Sequence, residues 1–164
     1  VHLVRGALPR RVDRPFVTAT VVVAGIGNDF RHDDGAGPAV ARLVAASTRA
    51  VDIGPIGEPL DLLGRWEAAS LAVLVDATRS GAPAGTVRLV DLAGSERAPS
   101  PSTHAIGLDR VVRLAQVLER APDRVVVVGI EGEDFSDGTG LSPAVEDAIP
   151  RAARAIADLI AAET

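Results

Sequence analysis

The sequence predicts an α/β fold, a three-layer α/β/α sandwich built on a mostly parallel five-stranded sheet with one antiparallel edge strand. Three observations lead there. Stretches at 18–24 (TATVVVA), 71–75 (LAVLV) and 125–130 (VVVVGI) end in or consist of continuous apolar runs, as strands covered on both faces do. Between them lie stretches whose apolar residues recur at helical spacing, so strands and helices alternate along the chain. Finally, 164 residues supply one domain with a sizeable core and are too few for two of ordinary size.

The elements follow in order. Thr18 to Ala24 reads as a buried strand leaving into the turn Gly25-Ile26-Gly27-Asn28. From Pro38 to Ser47, Val40, Leu43 and Val44 mark a helix, with Pro38 suited to its first turn. Ala50 to Ile53 is a short strand, and Leu60, Leu62, Leu63 and Trp66 suggest a short helix after the Gly54-Pro55 turn. Leu71 to Val75 is the second apolar strand, closed by Asp76. Thr86 to Leu92 (TVRLVDL) alternates, which predicts a half-exposed strand. The loop before it is too short for a crossover helix, so this strand is placed antiparallel at an edge. His104 to Glu119 repeats as a helix, Val125 to Ile130 is the last buried strand, and Ser142 to Ala162 is a terminal helix expected to break or restart at Pro150. The chain organises as a tail over residues 1–15 and one domain over 16–164. The tail carries Arg5, Arg10, Arg11 and Arg14 among scattered apolar residues and reads equally as a disordered arginine-rich segment or a folded leader strand. Val1 in place of Met suggests a literally translated alternative start codon.

Composition removes whole classes of chemistry. Cys, Met and Tyr are absent and so is Lys, which leaves all 17 basic residues as Arg. That excludes a disulfide framework, a Cys-ligated zinc site, a thiol nucleophile, a Schiff-base or P-loop lysine and a phenolic acid or base. Only three histidines, His2, His32 and His104, are present, so a metal site must lean on carboxylates. A net charge of -5 gives no basic footprint for nucleic acid, and Phe16, Phe30, Trp66 and Phe135 are too few for base stacking. No apolar run suits a secretory signal or a membrane span, which points to a cytoplasmic protein with no nucleic-acid or membrane partner.

In an open parallel sheet the ligand site lies outside the carboxyl ends of the strands. Asp33 and Asp34, in the loop after the first strand, fall there, as do Asp76 at the end of LAVLV and His104 at the start of its helix. Each has a plainer role available: Asp34 as a helix cap, Asp76 as a turn former, His104 as an ordinary first-turn residue. Taken together, two carboxylates and an imidazole make a mixed O/O/N set suited to nickel or zinc rather than to calcium or magnesium. Three protein ligands leave positions open for substrate or water. His32, two residues from Asp34, is a candidate accessory ligand, read mainly as a solvated loop residue. A dinucleotide site is disfavoured because Phe30 stands where the third glycine belongs and the Asp pair would repel a pyrophosphate, so no nucleotide is expected. A phosphoacceptor receiver is resembled only loosely, since its lysine is missing.

The stretch from Gly25 to Pro38 (GIGNDFRHDDGAGP) resembles the opening motif of the nickel-iron hydrogenase maturation endopeptidases. Val75-Asp76-Ala77 is similar to that family's strand-end aspartate, Ser102 to Leu108 (STHAIGL) to its histidine segment, and Gly140 to Val145 (GLSPAV) to the lead into its last helix. The resemblance runs from about Thr18 to the C-terminus. It implies a protease that removes a C-terminal peptide from a hydrogenase large-subunit precursor once nickel is in place. It also implies that Asp34, Asp76 and His104 contact that nickel, which arrives with the substrate, and act in catalysis. Asn28, Asp33, Asp52, Gly54 and Gly57 are the expected substrate-recognition positions, and a monomer is favoured. One departure stands out: where the family has a glycine-glycine-threonine stretch, this chain reads Asp52-Ile53-Gly54-Pro55-Ile56-Gly57, with Pro55 at the threonine place. A noncatalytic metal- or partner-recognition protein of the same fold is the alternative.

Overall fold

The computed structural model describes residues 20–92 and 103–163. The tail over 1–15 and the first residues of the opening strand lie outside that range. Strand β1 (Val21–Gly25) leads through a 3₁₀ turn (His32–Gly35) into α1 (Ala36–Ser47) and the short β2 (Val51–Asp52). A second 3₁₀ stretch (Pro59–Gly64) precedes β3 (Leu71–Thr78), β4 (Val87–Asp91), α2 (Thr103–Val117), β5 (Arg124–Glu131) and α3 (Pro143–Ala162).

The five strands lie in the order β2-β1-β3-β5-β4. β1 pairs in parallel with β2 and β3, and β3 with β5, while β4 runs antiparallel to β5 at the sheet edge. This is the sheet the sequence predicts, edge strand included. The alternation of strand side chains divides the core. Val21, Val23, Leu71, Val73, Val75, Val126 and Val128 face Val40 and Val44 of α1 and Ala148, Ala152 and Ile156 of α3. On the other face Val22, Ala24, Ala72 and Leu74 meet Leu62, Trp66 and α2 residues Leu108, Val111, Val112 and Ala115. Aliphatic side chains and one buried indole fill both layers, as the scarcity of rings requires. No helix among the described residues is long and apolar enough to cross a membrane.

Three details differ from the sequence reading. The segment around Leu62 forms a 3₁₀ stretch that stops at Gly64, so Trp66 follows it rather than belonging to a helix. β3 does not close at Asp76 but runs to Thr78, because β5 continues alongside and pairs Asp76 with Gly129 and Thr78 with Glu131. α3 is unbroken at Pro150. The proline lies on the exposed side, as does Glu146, whose carbonyl loses its usual donor, while Val145, Ala148, Ala152 and Ile156 hold the opposite side in the core. Tertiary packing therefore overrides the local breaker. Replacing Pro150 with Ala restores that donor and removes the ring, offset in part by greater freedom of the unfolded chain. Pro150→Ala is expected to stabilise the protein by about 1–2 kcal/mol, read as a raised urea midpoint with an unchanged slope.

Candidate active site

The strand order reverses between β1 and β3: from β1 the chain crosses by α1 to β2 on one side, then returns to β3 on the other. Such a switch point opens a crevice at the carboxyl ends of the strands. Asp76 lies there on β3, 2% exposed, and by alternation with Ala72 and Leu74 it faces the α2 side of the sheet. α2 leads through a short connection into the start of β5, so it runs back down the sheet and its first turn, with the backbone of His104, stands at the same rim.

Asp34 reaches the rim through the turn between β1 and α1. Gly27, at φ +127°, lets the chain double back so closely that a Cβ there would overlap the Asp34 carbonyl. The Asn28 amide then donates to Asp34 Oδ2 at 2.9 Å. No other hydrogen bond to this carboxylate is made by the described residues, although Asp34 is only 7% exposed. Asn28 itself is exposed, and its side chain accepts from the Phe30 amide.

The neighbouring Asp33 faces the opposite way and is fully buried. Its Oδ2 accepts from the amides of Glu133 and Asp134 at 2.9 Å each and from the Ser142 hydroxyl at 3.0 Å, and its Oδ1 from the Ser142 amide at 2.7 Å. Burial alone pushes its carboxyl up, but the amides of Asp134, Ser142 and Glu133 and the Ser142 hydroxyl outweigh it, so the carboxyl lies below its ordinary range. Asp33 thus ties the β1–α1 turn to the β5–α3 loop and to the residue preceding α3, with no surface left for substrate in this conformation.

The remaining recognition positions divide. Asp52 Oδ1 accepts from the Gly54 amide at 2.9 Å and shapes its own loop. Gly54 packs on the end of β1, where a Cβ would stand 3.2 Å from Gly25 backbone atoms, and the Ile56 amide donates to the Gly25 carbonyl at 3.0 Å. Arg65 donates to the Ile53 carbonyl at 3.1 Å, and Gly57 is open to solvent. His32 is not a freely solvated loop residue: its Nδ1 lies 3.0 Å from the Gly140 carbonyl, and its ring fills the space beside Gly138.

A further buried carboxylate escaped the sequence reading. Glu131, at the end of β5, accepts from the Ser80 amide at 2.6 Å, the Ser80 hydroxyl at 2.8 Å, the Gly81 amide at 2.8 Å and the Thr78 hydroxyl at 3.1 Å. Its burial is likewise outweighed by these donors, led by the Ser80 hydroxyl, and its carboxyl is held low. The signal was the one used for Asp76, an acid directly after an apolar strand run. Among the described residues no group of three or more His, Cys, Asp and Glu could hold a metal ion; the His104 side chain lies outside them.

An open α/β sheet with two buried or nearly buried aspartates at its switch point has the arrangement of α/β proteins that take ligands at the carboxyl ends of their strands. Residues 45–159 match the hydrogenase maturation protease family (HycI). The chain is 32% identical over 147 residues to hydrogenase expression/formation protein HoxM of Cupriavidus necator, covering 81% of this chain and 72% of that protein. It is 32% identical over 140 residues to hydrogenase expression/formation protein HupD of Rhodobacter capsulatus, covering 79% of this chain and 66% of that protein. In fold it is similar to the hydrogenase maturating endopeptidase HybD from E. coli, with a TM-score of 0.72 at 22% identity over 88% of this chain and 93% of that one. The nickel-iron hydrogenase maturation protease HycI from Thermococcus kodakarensis gives 0.67 at 25% identity, covering 85% and 91%. The chain belongs to the hydrogenase maturation protease family and is by that membership a peptidase.

Proposed function

We propose that this chain removes a C-terminal peptide from the nickel-loaded large-subunit precursor of a nickel-iron hydrogenase in the cytoplasm, with Asp34, Asp76 and His104 gripping the nickel that the substrate carries. The observation that carries this reading is the state of Asp34. Its carboxylate is held nearly buried at the switch point by one backbone amide, with lone pairs left for a ligand, and buried Asp76 lies on the adjacent strand. Hard carboxylate oxygens and an imidazole suit nickel, and with no Cys in the chain any thiolate ligands belong to the substrate.

With Cys and Lys absent, a serine or threonine hydroxyl and an activated water remain as nucleophiles, and water is favoured because the sequence offers His104 no evident Ser partner. Nickel in the substrate supplies Lewis acidity at the scissile carbonyl. A carboxylate of the pair takes the proton of the attacking water and returns it to the departing amine. Cleavage is then conditional on metal loading, because only a loaded precursor brings the group that the three side chains hold.

Mass analysis of nickel-loaded and nickel-free precursor, before and after incubation with this protein, tests the reading. The loaded precursor is expected to shorten and the nickel-free one to stay intact. His104→Ala and Asp34→Ala are each expected to slow processing at least about 100-fold. Full processing by His104→Ala overturns the metal-contact role, and equal cleavage of the nickel-free precursor overturns metal loading as the signal. A precursor that binds without being shortened identifies a recognition protein instead.

A further inference from the structure

We propose that Arg79, held over the ring of Phe135, is a specificity-determining residue that binds a carboxylate on the tail being removed. This rests on the endopeptidase reading above. Arg79 leaves β3 directly after Thr78, three residues past Asp76, and is exposed at the carboxyl end of the sheet, on the side where Phe135 packs against the α1–α3 layer. Its guanidinium carbon sits 4.7 Å from the Phe135 ring centroid, a cation–π contact that holds the head without using its hydrogen-bond donors.

The platform under it is itself pinned from several sides. The Phe135 ring fills the space beside Gly132, where a Cβ would stand 2.7 Å from it. Arg31 donates to the Phe135 carbonyl at 3.0 Å, and buried Asp33 takes the amides of the two residues before Phe135. Arg31, Arg42, Arg65, Arg124 and Arg151 all spend donors on protein acceptors. Arg79 makes no hydrogen bond among the described residues. The anion facing it, Asp134, is already engaged by the Ser136 hydroxyl at 2.7 Å and amide at 2.9 Å, so it tempers the charge without ligating the fork.

A positioned guanidinium with its fork unused matches a carboxylate, which it takes bidentately. A C-terminal tail always presents one such group, its α-carboxylate, and any acidic side chain presents another. In this arrangement Arg79 sets the register of the tail across the rim and acts on binding rather than on the bond-breaking step.

Steady-state processing of a nickel-loaded precursor, with calorimetric binding of a synthetic tail peptide alongside, tests this. Arg79→Ala is expected to raise KM about tenfold with kcat within about twofold, and to weaken peptide binding equally. Arg79→Lys recovers only part, since an ammonium lacks the fork, and Phe135→Leu gives a smaller rise in KM. Amidation of the tail terminus removes the difference between the wild type and Arg79→Ala if the α-carboxylate is bound. Replacing the tail's acids by their amides removes it if a side chain is bound. Unchanged KM and peptide affinity in Arg79→Ala overturn the assignment while processing by the wild type upholds the endopeptidase reading; a difference that survives both neutralisations also overturns it. A wild-type protein that neither binds nor shortens the precursor sinks both.

Discussion

Gly37→Ala is expected to destabilise the protein by about 3–5 kcal/mol, lowering Tm by roughly 10 °C or more. The cause is close approach of backbone to backbone. Gly37 sits in the first turn of α1, where it crosses the ends of β1 and β3, and a Cβ there would overlap the carbonyl oxygens of Ile26 and Val75. These are not flexible side-chain tips that can swing aside. Val75 is locked into the ladder with β1 and β5, and its carbonyl already accepts the Ile26 amide at 2.8 Å. The helix must lift instead, and Gly25, whose missing Cβ leaves room for Pro38, shows how little slack the contact has. Lifting α1 also displaces the turn that carries Asp34, so processing is expected to fall even below the melting transition. Gly57→Ala is the control, because nothing lies within 4 Å of a Cβ there; its effect is expected within about 0.5 kcal/mol. Thermal melts of the two variants by circular dichroism decide it, and a Gly37→Ala protein that melts with the wild type would remove close packing as the reason for this glycine.

That glycine contact marks where the sequence stopped being informative. The strands were legible because fully buried parallel strands need continuous β-branched runs, and TVVVA, LAVLV and VVVVGI leave little else for those residues to do. The antiparallel edge was legible from the short loop before it. Pro150 misled because a local rule about a missing donor competes with a whole apolar face, and the face prevails when the proline points to water. Spacing and composition alone could not separate Asp33 from Asp34; only the family resemblance singled out Asp34. They are adjacent and chemically alike, and only the 3₁₀ turn, with His32 at φ 43°, sends one into the β5–α3 loop and leaves the other at the crevice. Glu131 was hidden by the same kind of degeneracy. An acid after an apolar run can be a ligand or a clamp, and the difference lies in Ser80 and Gly81, distant in sequence.

The clamp at Asp33 yields the second large effect, and its sign with pH is fixed by the structure. A carboxyl whose folded value lies below its ordinary value of 3.8 contributes stability that is fully present above that value. The contribution is lost as pH falls through the lower, folded value. Glu131 behaves alike from an ordinary value of 4.5, so the two clamps together make the fold acid-sensitive below about pH 4. Asp33→Ala leaves the Ser142, Glu133 and Asp134 amides in a buried space without an acceptor, a loss of about 3–4 kcal/mol at neutral pH. Asp33→Asn keeps one acceptor oxygen but turns an amide group toward a donor and removes the charge, a loss of about 2 kcal/mol. Both differences from the wild type are expected to shrink as the wild-type carboxylate itself becomes protonated. Urea titrations of the wild type and both variants at pH 7 and pH 3 measure this directly. A gap that stays constant between the two pH values means that packing, not the ionised carboxylate, holds the loop. The loop in question carries Phe135, so Asp33→Asn is further expected to reproduce in KM a part of the Arg79→Ala effect while leaving the Asn28–Asp34 contact in place. The buried aspartate of the pair would then act on the substrate only through the ring beneath Arg79, whereas the rim aspartate acts at the metal and the scissile bond.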